Sequence, residues 1–231
     1  SNMSHDIRTP MNAIVGLTAI AGANIENQDR VVECLGKITK SSRHLLGLIN
    51  EVLDMARIES GRISLAEEDF SLPELVDNLL TLTKPAIDEH HHQLEVHVEH
   101  IEHEAVCGDS LRIQQVFVNL MSNAVKYNKD NGTITMTLRE ERCDGKTAWV
   151  KFTCADTGIG MSEEFQKHIF EPFTQEVLDA RSTYGGTGLG MPIAKSLADK
   201  MGGTITFESR QGVGTTYYIT LPLEIDPNAA P

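Results

Sequence analysis

Positive charge is scarce in this sequence. Its 231 residues include 20 Lys and Arg against 33 Asp and Glu, which gives a formal net charge of −13 at pH 7. No segment gathers Lys and Arg into the basic stripe that a nucleic-acid-binding surface needs. The remaining composition, 40% hydrophobic and 23% charged, is that of a globular protein. We therefore expect no nucleic-acid partner.

Cysteines and long apolar runs are also scarce. The longest mostly apolar run, residues 13–25, is too short to span a bilayer and contains two glycines and Asn24. No segment has the pattern of a secretory signal. We expect no membrane contact within this fragment. The four cysteines show no CxxC spacing and fit a reduced cytosolic setting best; they are Cys34, Cys107, Cys143 and Cys154.

The first third of the chain has heptad-like apolar spacing, which predicts helices from about Met3 to Ala23 and from roughly Asp29 to Gly61. The seam residues are Ile7, Met11, Ile14, Thr18, Ala21 and Ile25, then Ile38, Leu45, Leu48, Val52 and Met55. The second stripe is widened by Leu46, Ile49, Leu53 and Ala56. Two helices cannot bury such stripes alone. We expect an antiparallel hairpin that forms a four-helix bundle as a homodimer.

The heptads stop between Gly61 and Ser71, which predicts a boundary between domains at 1–66 and 67–231. Asp144-Gly145 is a strong signal for a β-hairpin. Helices are expected at about 73–89, at 109–127 and after Gly188, and strands at about 94–101, 133–141, 147–157, 204–209 and 215–222. This order predicts an α+β or α/β sandwich, a mixed sheet with helices on one face.

Six histidines lie between residues 90 and 103, which raises the question of a metal site. They are His90, His91, His92, His97, His100 and His103. Three adjacent histidines point in different directions on a helix or a strand, and no Cys, Asp or Glu stands at a recognisable ligand spacing. We interpret this segment as a solvated surface turn that leads into a strand.

The segment SHDIRTPMN, residues 4–12, carries the first candidate for chemistry. If the seam residues face the bundle interior, His5 lies beside the seam and its ring reaches solvent. A neutral imidazole is a competent nucleophile at physiological pH. Asp6 can orient the ring and take the proton lost on attack. Arg8 adds a donor near an incoming phosphate.

Thr9 lies one helical turn from His5 on the same face. Pro10 removes an amide donor inside the helical pattern, so we expect a bend next to His5. The segment resembles the H box of histidine kinases throughout. That resemblance implies that His5 is phosphorylated, that Asp6 is the base, and that Thr9 positions water when such kinases act as phosphatases. His44 has no neighbouring acid or proline, and we interpret it as structural or surface.

The helical stretch VFVNLMSNAVKY places Asn119 and Asn123 on one face, followed by Lys126 and Tyr127. Carboxamide oxygens can take part in holding Mg²⁺ while the ion stays largely hydrated and bridges phosphates. Lys126 can meet a phosphate, and Tyr127 can cover a base. Taken alone, this stretch is equally compatible with a helix that has two ordinary asparagines.

Two glycine-rich turns follow. In DTGIGM, Asp156 stands at a strand end, where its carboxylate can accept from the exocyclic amine of adenine, and Gly158 and Gly160 turn the chain. GGTGLGM, residues 185–191, leads into a helix whose amides favour phosphate, which is a weak signal alone. Between them FEPF, ending at Phe173, reads as an aromatic anchor before a mobile lid over residues 174–184.

In this order the stretches resemble the N, G1, F and G2 boxes of the histidine-kinase ATP domain, and Gly212-Val213-Gly214-Thr215 resembles its last turn. The Bergerat-type fold of that domain is shared with gyrase, chaperone and mismatch-repair ATPases, and no Walker GxxxxGK[ST] occurs here. The resemblance covers essentially the whole chain. The nucleotide-binding residues that it implies are Asn119, Asn123, Lys126, Tyr127, Asp156, Gly158, Gly160, Phe173, Gly186, Thr187, Gly188, Leu189, Gly190 and Thr215, with Asn119 and Asn123 also at the Mg²⁺ ion.

The resemblance implies an ATP-dependent protein-histidine autokinase of a two-component system, which passes the phosphoryl group from His5 to an Asp of a response-regulator receiver domain. Relatives that hydrolyse ATP carry a Glu base where this chain has Asn119, so the γ-phosphate should wait for His5. We expect a cytoplasmic portion of a membrane-anchored sensor protein. The H box also resembles those of hybrid kinases, in which a receiver domain follows the ATP domain.

Two alternatives stay open at this point. The chain could be a plain ATPase or ATP-gated clamp of the same fold, which would release phosphate without labelling itself. It could also be a dimeric docking module that binds ATP and only holds a partner. Autophosphorylation with Mg·ATP distinguishes all three.

Overall fold

A helical hairpin begins the chain. The computed structural model describes residues 2–176 and 187–227. Helix α1 spans Asn2–Ala23 and α2 spans Gln28–Glu59. The side chain of Asn27 caps α2, since its oxygen accepts from the Arg30 amide at 3.1 Å. The two predicted helices are confirmed, and α1 continues without interruption through Pro10. The bend expected there stays a prediction.

Helix α2 shows a different environment on each of its faces. Its seam residues Leu45, Leu48 and Val52 are buried or half-buried. Leu46, Ile49 and Leu53 remain 59%, 41% and 49% exposed. At about 100° per residue these three form one stripe, separate from the seam. The hairpin therefore has an apolar face that its own two helices do not cover.

The remainder of the chain forms a seven-stranded mixed sheet with helices. The strands are β1 (Glu68–Ser71), β2 (Gln93–Glu99), β3 (Ala105–Gly108), β4 (Thr133–Cys143), β5 (Thr147–Asp156), β6 (Thr204–Arg210) and β7 (Gly214–Ile225). The helices are α3 (Leu72–Glu89), α4 (Ser110–Lys126), α5 (Glu163–Gln166) and α6 (Gly190–Lys200). The strand order is β1-β3-β7-β5-β4-β2, and β6 pairs with β7. Only β2 and β4 pair in parallel among these strands.

One face of the sheet is the core. Along β4, β5 and β7, buried residues alternate with half-buried ones, as expected when a single face is covered. The apolar faces of α3, α4 and α6 pack over it, with Phe117 of α4 stacked on Phe152 of β5 at 4.0 Å between ring centroids. The predicted α/β sandwich with helices on one face is confirmed. The short elements β1, β3 and α5 were not predicted.

The hairpin and the sheet region are in direct contact. Arg112 of α4 donates to both carboxylate oxygens of Asp54 of α2 at 3.2 Å, and Gln115 donates to the same carboxylate at 2.8 Å. The apolar side chains of Val52, Met55 and Ile58 pack against the core. The C-terminal half of α2 is therefore a wall against which the second region rests.

In the described part of the chain, no helix has both the length and the hydropathy of a membrane span. All four cysteines are free thiols. The predicted surface turn is confirmed for His90 and His91, which are exposed at the end of α3, and β2 begins two residues later. His92 and His103 are instead half-buried.

Candidate functional site

The candidate site is a cavity of about 420 Å³ between α2 and the helix-covered part of the sheet. Its volume is in the range of small-molecule sites. Ten of the predicted nucleotide-binding residues line it: Asn119, Asn123, Lys126, Tyr127, Asp156, Gly160, Thr187, Gly188, Gly190 and Thr215. Asn119 and Gly190, 71 positions apart in sequence, therefore meet at one cavity, as the order of motifs predicts.

Helix α4 supplies one wall. The Asn119 amide donates to the backbone oxygen of Gly190 at 2.9 Å, so its carboxamide oxygen remains for another partner. Asn123 hydrogen-bonds the buried hydroxyl of Tyr217. Burial raises the pKa of Tyr217, which keeps that hydroxyl protonated. Lys126 donates to the Tyr127 hydroxyl at 2.8 Å, and its ammonium lies over that ring.

Asp156 ends β5 at the base of the cavity. Its Oδ1 accepts from the amides of Gly158 at 2.8 Å and Thr215 at 3.3 Å. Burial raises the pKa of this carboxyl to about 6, and the two amide hydrogen bonds oppose the rise. At neutral pH the group is mostly ionised, and it can accept a hydrogen bond from an amine in the cavity.

Gly158 and Gly160 permit the close turn after Asp156. A Cβ on Gly158 would lie 2.2 Å from the backbone oxygen of Tyr127, and one on Gly160 would lie 2.1 Å from that of Arg210. Gly160 also has a positive φ of 63°. Only glycine fits at both places, which holds α4, the turn and β6 together around the carboxylate.

The second glycine-rich turn leads into α6. The Thr187 hydroxyl accepts from the Leu189 amide at 3.1 Å, and the N-cap residue Leu189 makes no side-chain capping bond. The first amides of α6 therefore lie at the cavity edge without a side-chain cap. Leu189 is buried, and Gly158, Phe173 and Leu189 lie outside the cavity lining. Gly186 and residues 177–184 of the expected lid lie outside the described residues.

Helix α2 supplies the opposite wall, which sequence reasoning missed. Arg43, His44 and Glu51 line the cavity from α2. The Glu51 carboxylate accepts a short hydrogen bond from the Thr187 hydroxyl. Burial raises the pKa of Glu51, and this hydrogen bond opposes the rise. His44 is exposed, as expected for a surface residue, but it lies on the cavity wall. In the sequence these residues resemble any solvated helix face, so no local signal marks them.

The phosphoacceptor candidate lies on α1, separate from the cavity lining. The His5 side chain is 80% exposed, which confirms that the ring reaches solvent. Its Nδ1 lies 3.6 Å from Oδ1 of Asp6, which is 26% exposed. The Thr9 hydroxyl donates to the His5 backbone oxygen at 3.1 Å, so Thr9 lies one turn along on the same face. Arg8 is exposed.

Comparison with protein families assigns both parts of the chain. Residues 1–61 match the His Kinase A (phospho-acceptor) domain. Residues 108–225 match the family described as histidine kinase-, DNA gyrase B- and HSP90-like ATPase. The two matches correspond to the hairpin and to most of the sheet region.

Similar full-length proteins include the sensor protein GacS of Pseudomonas syringae pv. syringae, which is 37% identical over 226 residues, 96% of this chain and 24% of GacS. The histidine-protein kinase BarA of Escherichia coli K12 is 32% identical over 228 residues, 99% of this chain and 25% of BarA. The chain thus spans about a quarter of the length of these relatives.

Solved structures share the fold. Full-length ShkA in complex with AMPPNP matches with a TM-score of 0.72 and 26% identity over 97% of this chain and 45% of ShkA. ThkA, solved in complex with the response regulator protein TrrA, matches with a TM-score of 0.66 and 23% identity over 96% of this chain and 60% of that one. Both domains and their order agree, and the chain belongs to the histidine kinase family.

Proposed function

We propose that this chain is an ATP-dependent protein-histidine autokinase that phosphorylates His5. The observation that supports the proposal is the position of the nucleotide cavity, one wall of which is α2 of the hairpin. His5 lies 19 residues before Asn24, and Leu46 lies 19 residues after Asn27. Because both helices rise about 1.5 Å per residue from the same turn, His5 and the cavity wall from Arg43 to Glu51 lie at similar heights.

We infer the roles of the two ring nitrogens of His5 from its neighbour Asp6. Nδ1 faces Asp6, so a neutral ring with its proton on Nδ1 presents the Nε2 lone pair outward. In the proposed step Nε2 forms a bond to the γ-phosphorus, the bond to the β,γ-bridging oxygen breaks, and ADP leaves. The Nδ1 proton passes to Asp6. The separation of 3.6 Å is longer than a hydrogen bond, and such contacts tighten when substrate is bound.

Different cavity residues would bind different parts of the nucleotide. Asp156 would accept a hydrogen bond from the adenine amine, and the ammonium group of Lys126 would attract a phosphate. The first backbone amides of α6 would bind the phosphate chain. Asn119 suits a magnesium ion, because its amide is held by Gly190 and its oxygen remains available. With Asn123 it would hold Mg²⁺, which neutralises charge on the phosphates.

Water is a poor competitor for the γ-phosphate at this site. Asn119 cannot act as a general base, since a carboxamide does not take up a proton at neutral pH. Related ATPases have a glutamate at that position. The γ-phosphoryl group therefore stays on ATP until His5 reaches it, which separates an autokinase from a plain ATPase.

The chemical stability of the product tests this proposal. After incubation with γ-labelled Mg·ATP, we expect label on the protein that survives alkali and is lost in acid, as for a phosphoramidate. Acid-stable label would place the phosphate on a hydroxyl and contradict the assignment to His5.

Replacing Glu51 with Gln is expected to tighten nucleotide binding severalfold, by about 1 kcal/mol. The Glu51 carboxylate lies on the cavity wall and occupies the Thr187 hydroxyl. A triphosphate entering the cavity meets the negative charge of this carboxylate. Glutamine keeps an acceptor for Thr187 and removes the charge. Calorimetric titration with AMPPNP and Mg²⁺ measures the change.

Glu33→Gln is the matched control for that prediction. Glu33 also lies on α2, but it pairs with Arg30 and Lys37 on the exposed surface. Its replacement should leave nucleotide affinity unchanged. If Glu51→Gln binds AMPPNP no better than the Glu33 variant does, Glu51 does not oppose the nucleotide.

We also propose a homodimer built on the uncovered face of the hairpin. Leu46, Ile49 and Leu53 lie on the side of α2 opposite Leu48 and Glu51, so docking of the sheet region leaves them free. On α1 the corresponding exposed apolar residues are Met11 and Val15, which lie four apart on one face. A second hairpin would cover both and complete a four-helix bundle.

The double substitution Ile49→Glu/Leu53→Glu is expected to make the protein monomeric. Each buried aliphatic side chain contributes about 1.5–3 kcal/mol, and two-fold symmetry counts each substitution twice. Light scattering after size exclusion should give 25.5 kDa instead of twice that mass. The control Leu82→Glu/Leu111→Glu changes exposed leucines outside the hairpin and should remain dimeric. An unchanged mass of the first variant would place the dimer interface elsewhere.

A response-regulator receiver domain is the proposed acceptor of the phosphoryl group, and Thr9 is placed to position water for the reverse phosphatase reaction. ThkA, which shares the fold, was solved with a response regulator.

We further propose a cytoplasmic location as part of a membrane-anchored, hybrid sensor. The free thiols suit a reducing compartment, and the sensor protein GacS is about four times longer than this chain.

A further inference from the structure

Three side chains with different donor atoms meet at the end of β4, away from the nucleotide cavity. They are His103, Glu140 and Cys143, whose nitrogen, oxygen and sulfur ligand atoms lie within 4.8 Å of one another. His103 Nδ1 is 2.8 Å from Glu140 Oε1. Sequence reasoning considered His103 among the six histidines but did not connect it with Glu140, because 37 residues separate the two.

A β-bulge brings Glu140 and Cys143 to the same side of the sheet. Residues three apart on a regular strand point to opposite faces. Here the register shifts between Glu140 and Arg142, so that Glu140 lies opposite Val150 and Cys143 opposite Ala148. Val150 and Ala148 are two apart and share the core face. The inserted residue therefore places the carboxylate and the thiol side by side at the edge of that face.

The Glu140 carboxylate is held in one orientation. Its side chain is only 5% exposed. Oε2 accepts from the backbone amides of Glu102 at 3.0 Å and His103 at 3.1 Å. Oε1 is the oxygen that faces the imidazole. Such outer hydrogen bonds orient a ligating carboxylate in metal sites.

The Cys143 thiol lies on the accessible side of the group. It is exposed, and its sulfur accepts from the Gly145 amide at 3.0 Å in the β4–β5 turn. The sulfur is therefore held at the turn, where an ion from solvent can reach it. If Glu140 only anchored the loop that carries His103 through its hydrogen bonds, no thiol would be required beside it.

We propose that His103, Glu140 and Cys143 form a binding site for a divalent transition-metal ion of the zinc type. Imidazole, carboxylate and thiolate are the ligands that Zn²⁺ and Co²⁺ take in tetrahedral sites, with water as the fourth. Bonds of about 2.0–2.3 Å put ligand atoms roughly 3.5 Å apart, so shifts of about 1 Å close the site. Binding requires Nδ1 of His103 to carry no proton, so the ring takes the Nε2–H tautomer, and the thiol proton of Cys143 is released to solvent.

The proposed ion has a structural place in the fold. It joins the segment between β2 and β3, which carries His103, to the β4–β5 hairpin, which carries the other two ligands. None of the three residues lines the nucleotide cavity. The site is therefore independent of the kinase proposal, and one can fail without the other.

Titration of the reduced, tag-free protein with Co²⁺ tests the site. We expect one equivalent to bind with the near-ultraviolet sulfur-to-cobalt charge-transfer absorption, and Zn²⁺ to displace it. Cys143→Ser should abolish that absorption, and His103→Ala should weaken binding at least tenfold. Cys107→Ser, at a half-buried thiol that donates to Asp69, should keep the full signal.

Two results would overturn the proposal. Binding of Co²⁺ without the sulfur absorption would place the ion at other groups, such as the exposed histidines near His90. The same absorption in wild type and in Cys143→Ser would place it at another thiol. Cys143 is exposed, so the serine variant is expected to fold, and circular dichroism confirms that it has done so.

Discussion

His5→Gln is expected to reduce incorporation of label from γ-labelled ATP to the background of the assay. Glutamine retains helix propensity and a polar side chain but has no basic nitrogen, so no bond to phosphorus can form. Because the His5 side chain is 80% exposed, the fold should not change. Nucleotide affinity should stay at the wild-type value, since His5 is not part of the cavity lining.

His44→Gln is the matched control. His44 is also an exposed histidine, and it lies on the wall of the nucleotide cavity. Label should be retained in this variant. Loss of label in His44→Gln with full label in His5→Gln would move the phosphoacceptor from α1 to α2 and contradict the proposal.

Asp156→Asn is expected to weaken ATP binding by roughly 10- to 100-fold, about 1.5–3 kcal/mol. Asparagine can keep the hydrogen bond from the Gly158 amide through its oxygen. Its NH₂ group then replaces the other carboxylate oxygen. That NH₂ group and the adenine amine are both hydrogen-bond donors, so the bond to adenine is lost. Isothermal titration with AMPPNP measures the loss. Asp144→Asn is the control, because Asp144 also accepts backbone amides, but in an exposed turn.

The pH dependence of binding gives a second readout for Asp156. Its pKa of about 6 lies above the usual range because of burial. Only the ionised form accepts fully from an amine, so wild-type affinity should fall as pH decreases from 7.5 to 5. Asp156→Asn should lack this component, and the titration of the nucleotide itself is common to both proteins. Parallel pH profiles of the two would exclude Asp156 as the adenine ligand.

Local patterns predicted most of the elements. The heptads of the hairpin, the alternation of β4 and β5 and the Asp144-Gly145 turn depend on neighbours within about ten residues. The strands β1 and β3 have four residues each, too few to show a period. They exist because Glu68 pairs with Gly108 across 40 residues of chain. No local signal could have identified them.

The candidate site could likewise be predicted from the sequence only in part. The cavity floor was predicted because each motif has its own signature, such as the aspartate followed by glycines at a strand end. The wall from α2 was not, because it depends on how the hairpin docks through Asp54 and Arg112. The group at Cys143 depends on a single inserted residue, Glu141, which reverses the side on which the thiol lies. Spacing along the sequence would have placed that thiol on the wrong face.

The fate of the γ-phosphate in a single turnover tests the central claim most directly. The reaction of the protein in excess over γ-labelled Mg·ATP is stopped at increasing times, and label on the protein is compared with free phosphate. We expect label on His5 to appear with the loss of ATP and before free phosphate. Free phosphate appearing first, on a protein that never carries label, would show a plain ATPase and contradict the account. Bound ATP that is never consumed would show a docking module instead.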